Sequence, residues 1–482
     1  LITCKSKALG GASFATVINP AGYKSLSFSL LLLSSVALLP TRTEAQNASA
    51  QNAPAQPSGA PAPASVVSGS GSSPAPALGA SAFNTAGVGA GALGSAVAGV
   101  IDFYGLMTQG VQSAQKSIQE ATGLNVHGLI AMGYENNFDY PYTGNNLYRA
   151  FDYFGANNFE LIQGELHIDH TAANEPGFVL DLNTANTAQV MYGLTTYYRA
   201  PGPAGVCPQT PCGWLDATQA FLTYTIPIGN GIVVTAGRQY GLIGYEGLPD
   251  WQTTNLFESI GLLYNLGEPF TVTGVRALYA FNDKLSAIIG LNSGWDTIAS
   301  RNALQNLESR VVITPASWLS WTINNEFGPT QPQNTALREM VDSFVTYTPP
   351  IIPGLSITEE AYYASQQGPA EILPEFPFIV PAYIPHSVHW WGDGVWIAYN
   401  ITNRLQAGLR GEYFDDADGF RTGILQQLWE ITFGFNYKLT EQIMVRWDFR
   451  HDQSTDHPFP TQANEPDLAG MNTMLWTAMY SF

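Results

Sequence analysis

Positive charge is scarce in this chain. Only 19 of its 482 residues are Lys or Arg, against 38 Asp or Glu, so the formal net charge at pH 7 is −19. A surface that neutralises phosphates must be basic, so nucleic-acid binding is disfavoured. Charge of either sign is sparse as well: 12% of residues, where soluble domains carry about 25%. Cysteine is limited to Cys4, Cys207 and Cys212, which rules out a disulfide-dense scaffold. Beyond residue 45 no apolar run reaches 18 residues, so spanning helices do not explain the low charge. No G-x-S-x-G, phosphate-binding loop or paired-Cys motif is present. His167, Asp169 and His170 form H-x-D-H, but strand alternation puts His170 on the opposite face, so no ready metal set results. No catalytic residue, metal site or cofactor is expected.

What is abundant is apolar and aromatic: 45% hydrophobic residues, with 11 Trp, 23 Tyr and 24 Phe. Such a chain exposes much of its surface to something other than water. Its length suffices to bury a full core or to close a large barrel. Lys5, Lys7 and Lys24 precede the apolar run 26–39, which at 14 residues is too short to cross a bilayer. Thr43-Glu44-Ala45 follows as a small-residue cleavage site, so 1–45 reads as a secretory signal peptide. Residues 46–95 are rich in Ala, Pro, Gly and Ser and read as a flexible linker. Val97, Ile101, Tyr104, Val111 and Ile118 fall at helical spacing, which predicts an amphipathic helix over 96–123. The pattern does not choose what its apolar face meets.

From residue 124 the period changes to two. Ile431, Phe433, Phe435 and Tyr437 alternate with Thr432, Gly434, Asn436 and Lys438; Val445, Trp447 and Phe449 alternate with Arg446, Asp448 and Arg450. Strands of about ten residues with one greasy face suit either a soluble sandwich or a transmembrane barrel. Aromatics near strand ends (Tyr413, Tyr437, Trp447, Tyr480, Phe482) favour the barrel, as interfacial girdles require. Seventeen candidate strands begin near residues 124, 159, 178, 218, 231, 255, 271, 285, 307, 319, 340, 355, 389, 405, 427, 443 and 472. Outer-membrane barrels alternate short turns with long loops. That rhythm breaks once, and removing the strand at 255–264 restores it. The expectation is therefore an all-β, closed antiparallel transmembrane barrel of about sixteen strands over 124–482, with 240–270 as one long loop.

Several stretches, taken in order, resemble the OmpL-like porin-2 family. They are Gly237-Arg238 with Gly244-Tyr245-Glu246, then Thr273-Gly274-Val275-Arg276-Ala277 leading to Leu291-Asn292-Ser293-Gly294-Trp295-Asp296. Arg410-Gly411-Glu412-Tyr413-Phe414 with Asp416-Ala417-Asp418-Gly419, and Val445-Arg446-Trp447-Asp448-Phe449-Arg450, complete the set. The similarity spans roughly 124–482. It implies a porin-like barrel in the bacterial outer membrane. The Ala/Pro linker, the Cys loop and the Pro-rich loop 366–388 depart from the family pattern.

If the polar phase faces inward, the lumen holds Glu165, Asp169, Arg276, Arg310, Glu326, Asp342, Arg410, Glu412, Arg446, Asp448 and Arg450, together with His167, Glu308, Glu360 and Lys438. Sixteen strands leave an aqueous channel, and charges on its wall bias which ions enter. The plainer reading is that most of them pair across strands. The loop 240–270 carries Glu246, Asp250, Glu258 and Glu268 and no Lys or Arg. Folded inward, with Tyr245 and Trp251, it would form a constriction whose carboxylates face Arg276, Arg410, Arg446 and Arg450 across a transverse field. An extra hairpin or an external lid is the equal alternative. Cys207 and Cys212 are expected to form a disulfide in an oxidising compartment. Asp415-Asp416-Ala417-Asp418-Gly419 is an acidic turn rather than a full calcium loop.

The leading function is passive diffusion of ions and small hydrophilic solutes. A non-conducting structural or adhesive barrel, closed by the helix, is the alternative, and a secreted carbohydrate-binding sandwich ranks third. The expected partners are outer-membrane lipid and lipopolysaccharide, the solutes themselves and, by analogy with general porins, further copies of the chain.

Overall fold

In the computed structural model the described residues are 109–482, apart from loop stretches at 140–145, 150, 152–155, 172–174, 198–213, 249, 300–303, 332–334, 373–381 and 461–465. The expected signal peptide, the linker, the first part of the helix and the Cys207/Cys212 pair lie outside the described residues.

Sixteen antiparallel strands close into one barrel, each bonded to its neighbours in chain order. They begin at 125, 158, 177, 216, 232, 271, 285, 306, 319, 338, 355, 388, 405, 426, 443 and 470, each within two residues of the sequence expectation. The seventeenth candidate, at 255–264, is not a strand. The first strand, Asn125–Asn137, closes the sheet against the last, Gly470–Ser481, in the register Leu129↔Ser481 to Asn137↔Thr473. Gly128 and Phe482 extend this seam by exchanging backbone hydrogen bonds of 3.0 Å in both directions. A Cβ on Gly128 would stand 2.4 Å from the Phe482 ring, so glycine makes room for the aromatic residue there.

The greasy side chains point outward. In the strand Gln426–Lys438 every second residue from Gln426 to Asn436 is buried: Leu428, Glu430 and Thr432 are buried, while Trp429, Ile431 and Phe433 are 42%, 46% and 40% exposed. Ile130, Leu222, Val275, Ile289, Leu409 and Trp476 are outward-facing and exposed in the same way. A soluble sandwich would bury these residues instead. No helix among the described residues is long and apolar enough to cross a membrane; the strands form the lipid-facing wall.

Two features depart from the expected pattern. The third strand, Gly177–Thr184, gives way to a helix, Ala185–Tyr197, inside what reads in the sequence as a plain loop. Met191 of this helix is fully buried in the apolar cluster inside the barrel. The inner wall is also not polar throughout. Leu129, Ala131, Ile162, Leu475 and Met479 form an apolar seam where the first and last strands meet. In the last strand the inward phase mixes Met471, Leu475 and Met479 with Thr473 and Thr477, and Trp251 of the long loop packs against the apolar part from the inside.

The helix before the barrel is exposed over 109–122 and is tied to the first strand by Gln115 Nε2, which donates to the Val126 carbonyl at 2.6 Å. Its described turns do not fill the lumen.

Candidate functional site in the barrel lumen

The loop 241–270 leaves the wall at Tyr240, fills the inside of the barrel and returns at Thr271. Its sequence explains why. Leu242, Ile243, Leu248, Phe257, Ile260, Leu262, Leu263, Leu266 and Phe270 are each 4% exposed or less. A 30-residue external loop could not cover so many apolar groups, whereas the lumen can. The segment Leu263–Gly267 forms a turn of π-helix, fully buried. Loop residues reach the short-turn end of the barrel: Asn436 Nδ2, two residues from a strand terminus, donates to the Leu256 carbonyl at 2.8 Å.

A loop withdrawn from water needs partners for its backbone. The inward charges of the wall supply them. Carboxylates accept loop amides: Asp342 from Gly244 at 3.3 Å, Glu360 from Tyr245 at 3.2 Å, Asp448 from Glu258 and Ser259 at 2.9 and 3.1 Å, and Glu412 from Leu262. Arginines donate to loop carbonyls: Arg446 to Thr253 and Asn255 at 3.0 Å, Arg450 to Ile260 at 2.6 Å, and Arg310 to Leu242. This use of the wall charges was not legible in the sequence, which offered cross-strand pairing or hydration.

Two loop carboxylates meet wall arginines at contact distance. Glu246 pairs with Arg410 at 2.7 Å and Glu258 with Arg446 at 3.2 Å. Glu246 is a hub: its Oε1 also accepts Trp396 Nε1 at 3.0 Å, and its Oε2 accepts the Gly261 amide at 2.7 Å, so it joins both limbs of the loop to the wall. Arg410 continues to Glu430 at 2.8 Å. Beyond it Arg450 joins Asp452, which meets Arg149 of the first long loop at 2.6 Å. Arg276 belongs to a separate pair with Glu308 at 2.8 Å, and Glu326 accepts Asn306 Nδ2 at 3.0 Å.

The other two loop carboxylates face acids rather than arginines. Glu268 lies among Asp342, Glu412, Glu246 and Glu360; burial first, then these neighbours, holds its carboxyl well above the usual carboxylate range. Asp250 faces Asp181 and Glu165. The expected opposition of loop acids to an arginine wall therefore holds for Glu246 and Glu258 as direct ion pairs, and does not describe Asp250 or Glu268.

Shape complements charge. Tyr245 packs edge-on against Trp396 and Phe344, with centroids 5.0 and 5.7 Å apart. Trp251 stacks on His127 at 3.9 Å, nearly parallel, beside the apolar seam. Inward glycines open space for the loop: a Cβ on Gly408 or Gly434 would stand 2.8 or 3.1 Å from the Phe257 ring, and one on Gly392 would meet Leu263 at 2.2 Å. These inward glycines were the sequence signal for a docked loop.

All eleven expected lining residues occupy the inward phase, and all but Asp169 are buried. Among the described residues the carboxylates that are buried outnumber the buried arginines by nineteen to nine.

The sequence profile of the family described as "Putative beta-barrel porin-2, OmpL-like" matches residues 123–482. The chain belongs to this family. It is an outer-membrane β-barrel of the porin class, a channel protein rather than an enzyme. Among solved structures it is similar to the outer-membrane channel DcaP of Acinetobacter baumannii, with 12% identity over 74% of this chain and 97% of that one, at a TM-score of 0.50. OprB of Pseudomonas putida is similar at 10% identity, covering 77% of this chain and 97% of that one, with a TM-score of 0.47. The anion-selective porin from Comamonas acidovorans is similar at 8% identity, covering 74% and 99%, with a TM-score of 0.47. No curated protein matches the chain significantly.

Proposed function

We propose that this porin passes ions and small hydrophilic solutes by passive diffusion, and that the docked loop 241–270 sets the width of the path. The Glu246–Arg410 pair carries this reading, because it locks the loop to the wall between buried partners. The surplus of buried carboxylates over arginines supports a preference for cations. The test is single-channel conductance in planar bilayers, with the reversal potential in a salt gradient, for the native barrel and for a barrel lacking 245–260. The expected result is a small cation-selective conductance that rises several-fold on deletion. Equal conductance in the two would refute a constricting role for the loop.

A second reading, a non-conducting structural or adhesive barrel, is favoured by the near-complete burial of the inward charges against the loop. Silence of the native barrel together with large channels in the deletion would support it. The outer wall supports self-association. Glu359, Ala361 and Asp393 point outward and are exposed on neighbouring strands, whereas strands two and four further round the wall present Ile431, Phe433 and Trp476 there. Charges facing lipid are costly, so a second copy of the chain is the proposed cover. Cross-linking in native membranes tests this, with a monomer only counting against it. Lipopolysaccharide, bridged to the acidic loops by divalent cations, is the proposed lipid partner at the long-loop end.

A further inference from the structure

Three side chains outside the Glu246–Arg410 network converge on the inner wall. Glu165 and His167 sit two residues apart on the strand Asn158–His170, and Asp181 comes from the adjacent strand Gly177–Thr184. The register pairs His167 with Asp181 directly. One ligand atom from each of Glu165, His167 and Asp181 lies within 4.8 Å of the other two. His167 Nδ1 is 2.5 Å from Asp181 Oδ1.

Glu165 is the observation that a simple His–Asp pair leaves unexplained. Its side chain is only 6% exposed, yet neither carboxylate oxygen has a hydrogen bond of standard geometry. The Trp251 backbone is its one nearby donor, outside standard hydrogen-bond geometry. A buried carboxylate with so weak a donor is costly unless something positive meets it.

The groups around the three are arranged as a metal's outer sphere would be. A metal-bound imidazole commonly gives its second N–H to a carboxylate, which fixes the tautomer. Here the Nε2 of His167 faces Asp169 Oδ1 at 3.2 Å. Asp169 is itself held by Asn125 Nδ2 at 3.0 Å and by Thr171 at 3.1 Å. The second oxygen of Asp181 accepts Gln219 Nε2. Asp250, on the lumen loop, faces both Glu165 and Asp181.

We propose that Glu165, His167 and Asp181 bind one divalent transition-metal ion of the zinc class, with Asp169 and Gln219 as positioning residues. One imidazole and two carboxylates match the nitrogen and oxygen donors that zinc takes. The ion replaces the proton shared between His167 and Asp181. Tetrahedral bonds of about 2.0–2.1 Å place ligand atoms about 3.3 Å apart, so the ring and the carboxylate separate by less than ~1 Å. Because Asp250 and Trp251 lie against the same spot, the ion also ties the loop tip to the wall. The assignment does not depend on conduction.

The test uses the folded full-length barrel in detergent, with heat-modifiable gel mobility as the check on folding. The protein is stripped with chelator, loaded with Zn²⁺, dialysed and assayed by elemental analysis; Co²⁺ is loaded in parallel for its visible ligand-field spectrum. The expected result is one equivalent per chain, a tetrahedral-type cobalt spectrum, loss of both in His167→Ala, and affinity about 10–100-fold weaker in Asp169→Asn. Should His167→Ala fail to fold, Glu165→Gln replaces it, with the same loss of stoichiometric metal expected. Native protein that retains less than half an equivalent overturns the assignment. So does a folded ligand variant that retains as much metal as the native chain.

Discussion

Glu246 of the lumen loop accepts a hydrogen bond from Arg410 of the wall at 2.7 Å, and both side chains are almost completely buried. The same guanidinium donates to Glu430, Thr432 and the Ser259 carbonyl. Breaking a buried pair by removing one partner typically costs about 3–5 kcal/mol, because the other charge stays behind unpaired. Arg410→Met is therefore expected to release the loop, leaving Glu246 and Glu430 without their shared cation. Larger and noisier single-channel currents, with new protease cleavage inside 241–270, would register this. Currents and cleavage like those of the native barrel would show that the pair does not hold the loop.

Phe257 rests where Gly408 and Gly434 leave no side chain. Gly408→Leu is expected to push Phe257 and Leu256 off the wall while the strand keeps its pairing with Ala398 and Gly434, because a side chain there meets only those two loop side chains. Overpacking of this kind costs about 1–3 kcal/mol. It should raise conductance without changing heat-modifiable mobility, so a barrel that loses its mobility shift would place the damage in the wall instead.

Glu268 gives the loop a dependence on pH. Burial and the carboxylates around it raise its proton affinity when the loop is docked. A raised docked-state pKa means docking is favoured while Glu268 is protonated and weakens as pH rises through that value. Conductance is expected to increase toward alkaline pH and to lose part of that slope in Glu268→Gln. A native barrel whose conductance falls with rising pH would contradict the sign.

The two faces of Gln426–Lys438 separate the membrane from the lumen. Ile431→Arg places a charge against acyl chains and should destabilise the barrel in vesicles by about 2–4 kcal/mol, the scale for cations near the bilayer midplane. Denaturant unfolding in phospholipid vesicles measures this. A cost near zero would argue that Ile431 does not meet lipid.

The sequence by itself determined the wall. Alternation along segments such as Ile431–Lys438 sorts each strand into one greasy and one polar face, and the aromatics near strand ends turned the greasy face toward lipid. The break in the loop rhythm at 255–264 marked 240–270 as one long loop, without saying where it folds, and the polar phase named the side chains that turn inward. What fills the lumen was decided only by the tertiary structure. Whether Glu246 meets Arg410 or water, and whether Asp181 arrives beside His167, depends on chain segments far apart in sequence or on a neighbouring strand's register. Local patterns carry no record of either. The helix Ala185–Tyr197 and the apolar seam at Leu475 and Met479 escaped the pattern for the same reason: each owes its character to packed neighbours, the inner cluster around Met191 and the loop residue Trp251, rather than to its own periodicity.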